Sequence, residues 1–324
     1  MKHLTLLLWI GLLSFYSFGQ TRMEYYDHEW KKCDQKMAFF SGQLAQTDSG
    51  FVAKDYYVSN GQLQMTGKYT DFDRKIKNGH FTYYFTDGTI SGEGVYQADQ
   101  RNGIWKSYHP NGQLKSLFYY SNNVVVGIGK SWHSNGQLED SLYTIKDVAM
   151  MTSWFPNGIL SASGAVGKNT KRPVGSWTYY RMDGTKSAQV LFDAASKVIS
   201  KAYYDKEGNL LKLNKKRNYG AYFNNEVITW KSYKKQNLRE PEGIALPKGK
   251  KKVVVVGFLI DPYGAVKDAY VKVPLHPEYD KIALELFKNC PRWIPALHYN
   301  RDQRTSAQLY TIDFDKIKKS KLKS

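Results

Sequence analysis

Apolar and polar positions along this chain follow three successive patterns. Leu4 to Phe18 is a nearly unbroken apolar run behind the basic start Lys2-His3, with small residues at Ser17 and Gly19. That predicts a secretory signal peptide over residues 1–19, because a run of this length, at about 1.5 Å per residue, falls short of a hydrocarbon core of about 30 Å. From 56 to 212 the pattern turns periodic. A glycine preceded by Asn, Asp or Glu recurs at Gly61, Gly88, Gly112, Gly136, Gly158, Gly184 and Gly208. Four residues before each stands an aromatic: Tyr57, Tyr84, Tyr108, Trp132, Trp154, Tyr180 and Tyr204. Two residues after stands an aliphatic (Leu63, Ile90, Leu114, Leu138, Leu160, Leu210), with Lys186 the exception. A second glycine recurs between units at Gly79, Gly103, Gly127 and Gly175, and Phe81, Trp105 and Trp177 follow three of these by two positions.

Asn-Gly or Asp-Gly between apolar flanks predicts hairpins with two-residue type I′ turns, in which both central residues take positive φ. Each unit is then one hairpin that cannot bury its aromatic stripe alone and does so by stacking on its neighbours. The expected architecture over 56–212 is an elongated antiparallel repeat sheet. Residues 20–55, with Tyr25, Tyr26, Trp30, Phe39 and Phe40, are expected to cap its first edge.

A third pattern follows residue 243. Lys252–Ile260 reads as a strand, Asp261-Pro262-Tyr263-Gly264 as a turn, and Ala265–Val273 as a second strand. Tyr279, Ile282, Ala283, Leu286, Phe287 and Cys290 recur at helical spacing, which predicts a helix over Glu278–Asn289 closed by Pro291. Thr305–Phe314 alternates and reads as a last strand. The fold class is therefore mainly β, with a small β-β-α-β domain at 243–315.

Asn-Gly-Gln-Leu occurs verbatim at 60–63, 111–114 and 135–138. With the aromatic before it, residues 56–212 resemble the MORN-type repeats of YwqK-like proteins. The resemblance implies a scaffold that binds proteins or membrane surfaces without catalysis. Asp280-Lys281-Ile282-Ala283-Leu284 and Cys290-Pro291-Arg292-Trp293-Ile294-Pro295-Ala296, with the hairpin before them, resemble the C-terminal domain of TonB-family energy transducers. That resemblance implies a periplasmic domain of a Gram-negative bacterium that binds a segment of an outer-membrane receptor by pairing with its last strand. The implied edge is Thr305–Phe314, with Gln308, Tyr310 and Ile312 as its contact residues. Trp293, held by Pro295, is expected to plug the open end between helix and sheet. The ten scattered prolines build no long spacer of the kind a transducer uses to cross the periplasm.

Charge sharpens this picture. The formal net charge is +18, but residues 212–252 hold twelve Lys or Arg against three acids, and the last ten residues hold five Lys against Asp315. The excess is read as a basic linker at 213–242 and a basic tail at 316–324, suited to anionic lipid, cell wall or an acidic protein; export removes nucleic acid from the expected partners. Cys33 and Cys290 are expected to be two unpaired thiols.

Candidate chemistry is sparse. Gly127-Ile128-Gly129-Lys130-Ser131 mimics the end of a phosphate-binding loop, but Val124 stands where the loop needs its first glycine. His109 and His133 share a repeat column about 10 Å apart, too far to share one ion, and are expected to be surface imidazoles. No nucleophile motif or cysteine cluster is present, so no cofactor and no enzymatic activity are expected. A hydrolase using paired carboxylates has no supporting spacing.

Overall fold

The computed structural model describes residues 21–212, 218–223, 227–299, 301–302 and 306–317; the expected signal segment and residues 318–324 of the basic tail lie outside them. Strands β1 (Thr21–Tyr26), β2 (Phe40–Thr47) and β3 (Gly50–Tyr57) open a single antiparallel sheet. Gly61 then turns β3 into β4 (Leu63–Tyr69), Gly88 joins β5 (Lys77–Tyr84) to β6 (Ile90–Gln97), and Gly112 joins β7 (Gln100–Tyr108) to β8 (Leu114–Ser121). After a short side strand β9 (Val124–Val125), Gly136 joins β10 (Ile128–Trp132) to β11 (Leu138–Ile145) and Gly158 joins β12 (Val148–Trp154) to β13 (Leu160–Gly167). Gly184 joins β14 (Pro173–Tyr180) to β15 (Lys186–Phe192), and the Gly208 turn follows β16 (Val198–Tyr203). The 16 strands lie in chain order apart from β9, which pairs only β8. All seven glycine turns therefore fall on one edge of the sheet.

The turns differ in type from the sequence expectation. In six units they are three-residue loops: Phe85 N–H bonds Thr89 O, Gly88 N–H bonds Phe85 O, and the pattern repeats at 109, 133, 155, 181 and 205. Only the glycine takes positive φ, between 72° and 88° across the seven units, while the Asn or Asp before it does not. This is a type I turn closed by a glycine bulge, which accepts the same Asn-Gly pair as a type I′ turn. True two-residue turns with both φ positive sit on the opposite edge, at Ala98-Asp99 and Asn122-Asn123.

Why NGQ recurs is visible at the glycine edge. Asn60 Oδ1 accepts from Gln62 N–H within its own turn, while its Nδ2 donates 2.7 Å to Thr86 O of the next turn. Asn111 and Asn135 do the same toward Ser134 O and Pro156 O. The following Gln leans over the next glycine: a methyl at Gly88 would meet Gln62 Oε1 at 3.0 Å. The motif thus joins successive turns.

From the second unit on, the aromatic before the turn and the residue after it are cross-strand partners, as in Tyr84 with Ile90, Tyr108 with Leu114, Trp132 with Leu138 and Trp154 with Leu160, whereas in the first unit Leu63 pairs with Tyr56 and not Tyr57. Lys186, the exception, lays its ammonium 4.3 Å over the Tyr204 ring. The rings that contact one another directly lie one row further in. Tyr69, Phe81, Tyr96 and Trp105 meet edge to face at 5.3, 5.1 and 4.9 Å. Phe81, Trp105, Phe118 and Trp177 each lie on a strand glycine without positive φ, Gly67, Gly94, Gly129 and Gly164 respectively, where a methyl would come within 2.2–2.4 Å of the ring.

The C-terminal domain adds β17 (Val253–Ile260), β18 (Val266–Val273), helix α2 (Pro277–Lys288), the two-residue strands β19 (Leu297–His298) and β20 (Arg301–Asp302), and β21 (Ser306–Asp313). Its sheet order is β18-β17-β21. The β-β-α-β order expected from sequence is present, with β19 and β20 inserted. A methyl at Gly264 would meet Trp293 O at 2.0 Å, and Trp293 N–H bonds Gly264 O, so the DPYG turn and the Trp-x-Pro segment close on each other.

The basic linker is partly folded. Residues 213–217 and 224–226 lie outside the description, but helix α1 (Trp230–Asn237), capped by Thr229, buries Tyr233 in the C-terminal core. Lys250, one of the twelve basic residues of 212–252, donates to Ala38 O at 2.7 Å and sits 5.0 Å over Phe39. Spacing explains why the linker reading gave way: Trp230, Tyr233 and Leu238 supply an apolar face that the lysines beside them obscure.

The two parts share an interface along the glycine edge. Phe39, Phe40 and Tyr57 belong to the same buried cluster as Val271 and Val273. Tyr270 packs edge-on against Phe85 at 5.2 Å, Asp268 Oδ2 lies 3.6 Å from His109 Nδ1, and Tyr299 lies 4.3 Å from Tyr179. His109 and His133 are accordingly buried, 2 % and 4 % exposed, which corrects their reading as surface imidazoles. Their Nε2 atoms bond Trp132 O and Trp154 O of the following unit.

Candidate functional site

In a three-stranded sheet the two outer strands carry unpaired backbone groups, and such an edge is where another chain can add a strand. Here the outer strands are β18 and β21. They differ in regularity. β18 meets β17 with register shifts at Val255/Val256 and Gly257/Leu259, and Asp268 within it takes a φ of 50°. β21 pairs with β17 over eight consecutive residues without a shift. Bulges disfavour addition of a strand, so β21 is the more regular of the two outer strands.

Alternation along β21 sorts its side chains. Ile312 points into the core, 2 % exposed among Phe258, Phe287 and Phe314, so the side chain named as a contact residue is not offered to a partner. Gln308 and Tyr310 line a cavity of about 300 Å³ together with Phe223, Trp230, Phe258 and Trp293. Leu309, between them, is 58 % exposed on the opposite face. Three consecutive residues, 308 to 310, thus wall the cavity, which places it against the strand's edge.

The cavity is held by aromatic contacts. Trp230 lies edge-on to Tyr310 at 5.5 Å and 5.6 Å from Trp293, while Phe258 stacks on Phe287 at 4.4 Å. Tyr310 Oη accepts from Trp230 Nε1 at 3.0 Å and from Lys234 Nζ at 2.9 Å. That ammonium also sits 5.5 Å over the Tyr310 ring, so helix α1 supplies both the apolar wall and a cation at its rim. Residues 219 and 222 bridge to Leu297 and Ile294 and bring Phe223 to the other side. Neither α1 nor Phe223 was expected here, although the aromatic spacing of Trp230 and Tyr233 signalled a buried helix face.

Trp293 is 9 % exposed and belongs to the core cluster. Pro295 is half-buried beside it. Cys290 Sγ accepts from Trp293 Nε1 at 3.2 Å, and burial pushes its thiol pKa up, which disfavours the reactive thiolate. Cys33 and Cys290 are both free thiols. Among the described residues no cluster of three metal-ligating side chains occurs. No described helix is long and apolar enough to cross a membrane.

Comparison with known proteins adds one observation. Residues 101–122 match the MORN repeat variant family. The matched stretch is one structural unit: it runs from β7 through the Gly112 turn to the end of β8 and into the Asn122-Asn123 turn. No curated protein matches the chain. The TonB-like reading of the C-terminal domain has no family match beside it and rests on its residues and strand order.

Proposed function

We propose that the protein is a non-enzymatic binding protein of the cell envelope, whose C-terminal domain takes an extended peptide on the edge of β21. The observation that carries this reading is the straight, eight-residue outer strand whose residues 308–310 wall an aromatic cavity. Backbone pairing supplies affinity that is tolerant of sequence, and a large apolar side chain of the partner entering the cavity supplies selectivity. An outer-membrane receptor in a Gram-negative periplasm is the partner class that the TonB resemblance suggests. The repeat sheet serves as a scaffold that fixes this domain through Phe85, His109 and Tyr179.

A photo-crosslinking residue placed at exposed Leu309 tests the reading, with one at exposed Ile145 on the far edge of the repeat sheet as control. A crosslink to an outer-membrane protein from Leu309 alone is expected. Equal labelling from both positions, or none from Leu309, contradicts it.

A second reading, docking on anionic lipid or cell wall, is favoured by Lys231, Lys235, Lys248 and Lys251, which stay exposed and form no ion pair among the described residues. Salt separates the two: attachment through these lysines weakens steeply as ionic strength rises, and strand pairing does not.

A further inference from the structure

A second cavity, of about 390 Å³, opens between the repeat sheet and β18, remote from the cavity at β21. Its rings include Trp30, Tyr83, Tyr84 and Tyr108. Trp30 is 43 % exposed, held at a φ of 62° and stacked on Phe40 at 4.0 Å, with Tyr26 at 5.6 Å, so the ring is braced yet partly open to solvent. Besides Ser107, which bonds Ser116, four polar side chains line the same space: Gln64, Ser91 and Lys115 from the sheet, and Lys272 from β18. The side chains of these four have no hydrogen-bond or ion-pair partner among the described residues, and no carboxylate lines the cavity.

We propose that this cleft binds an anionic saccharide. A sugar ring presents an apolar C–H face and a rim of hydroxyls. Tyr and Trp rings bury the face while their polar ends stay wet, and Gln64 and Ser91 meet the hydroxyls. Two cations on opposite walls, with no acid between them, call for a carboxylate or phosphate on the ligand. The volume falls within the range of small-molecule sites, about 300–1,000 Å³. An added peptide strand fits less well, because the β18 edge facing the cleft is broken by two register shifts. A lipid acyl chain would leave both ammonium groups and the Gln64 amide without partners.

Calorimetric titration of the full chain with trigalacturonate and with glucose 6-phosphate tests this, with fully methyl-esterified trigalacturonate as the neutral control and hexaglutamate as the charge-only control. At least one anionic sugar is expected to bind, and the methyl ester at least about tenfold more weakly when the anion carries the contact. Lys115→Ala with Lys272→Ala is expected to weaken binding by a similar factor while thermal unfolding is unchanged, since both side chains are exposed. Gln64→Leu, which keeps both charges, is expected to weaken sugar binding alone. Failure of both sugars to bind overturns the proposal. So does hexaglutamate binding as tightly as the sugars, or sugar binding that survives the double lysine change. The site shares no residue with the β21 cavity, so a loss at Leu309 leaves this result unaffected.

Discussion

A methyl group added at Gly94 probes the row of rings on which the repeat sheet rests. Gly94 does not take a positive φ, so alanine suits its backbone and by itself would stabilise by about 0.4–1 kcal/mol through the unfolded chain. The added carbon, however, would sit 2.2 Å from Cδ2 and 2.3 Å from Cε2 of Trp105. The indole must move. Overpacking of this kind costs about 1–3 kcal/mol. Movement also strains the 3.0 Å bond from Trp105 Nε1 to Val95 O, a contribution of about 0.5–1.5 kcal/mol, and the edge-on contact with Tyr96, of about the same size. These terms overlap, and the expected net loss is about 3 kcal/mol. Urea unfolding followed by tryptophan fluorescence reads it. Gly61→Ala is the reference: nothing lies within 4 Å of that position, so only the left-handed backbone is strained, at about 1–2 kcal/mol. Adding Trp105→Leu to Gly94→Ala should recover part of the loss, because the smaller side chain leaves room for the methyl. A Gly94→Ala protein as stable as the parent, or strictly additive effects of the two changes, would refute the packing described for this row.

Other expected outcomes follow from the same structure. His109→Phe, which copies the residue found at the same column in Phe85 and Phe155, leaves Trp132 O without its donor and should cost about 1–3 kcal/mol in thermal or urea unfolding. Asp55→Ala leaves Arg74 buried without the carboxylate it bonds at 2.8 and 2.5 Å, and should cost about 3–5 kcal/mol by the same measurement. Ile312→Ala should cost about 2–5 kcal/mol, whereas Leu309→Ala on the exposed side of the same strand should stay within about 0.5 kcal/mol of the parent. Burial raises the pKa of Asp280 from 3.8 to about 7, so between these values the folded chain keeps a proton that the unfolded chain has lost. Stability contributed by this group is therefore full below pH 4 and falls, by at most about 4 kcal/mol, as pH rises to 7. Asp280→Asn should remove that slope from a series of urea unfolding curves.

The local grammar of the repeat sheet was legible because it is written in short-range terms. An aromatic, an Asn-Gly pair and an aliphatic at fixed offsets define a turn and a cross-strand pair within seven residues, and both are present. The turn type was not legible, since two- and three-residue loops use the same Asn-Gly and differ only in which residues take positive φ. Gly67, Gly94, Gly129 and Gly164 escaped notice for a related reason: each is explained by a ring on the neighbouring strand, not by its own conformation. The burial of His109 and His133 left a trace in the sequence, because their column also holds Phe85 and Phe155. What covers part of that column, Tyr270 over Phe85 and Asp268 beside His109, stands more than 150 residues further along, and no local pattern points to it. At the candidate edge, β21 and its alternation were readable. The aromatic wall from Trp230 and Phe223 was hidden by the lysines around it.

Hydrogen–deuterium exchange on the full chain, with and without a detergent-solubilised outer-membrane fraction, tests the central claim most directly. Strand addition predicts new protection confined to residues 306–313 and to the segments around Trp230 and Trp293, undiminished in high salt. Protection that appears instead at residues 231–252 and vanishes with salt, or no change along β21 at all, would contradict it.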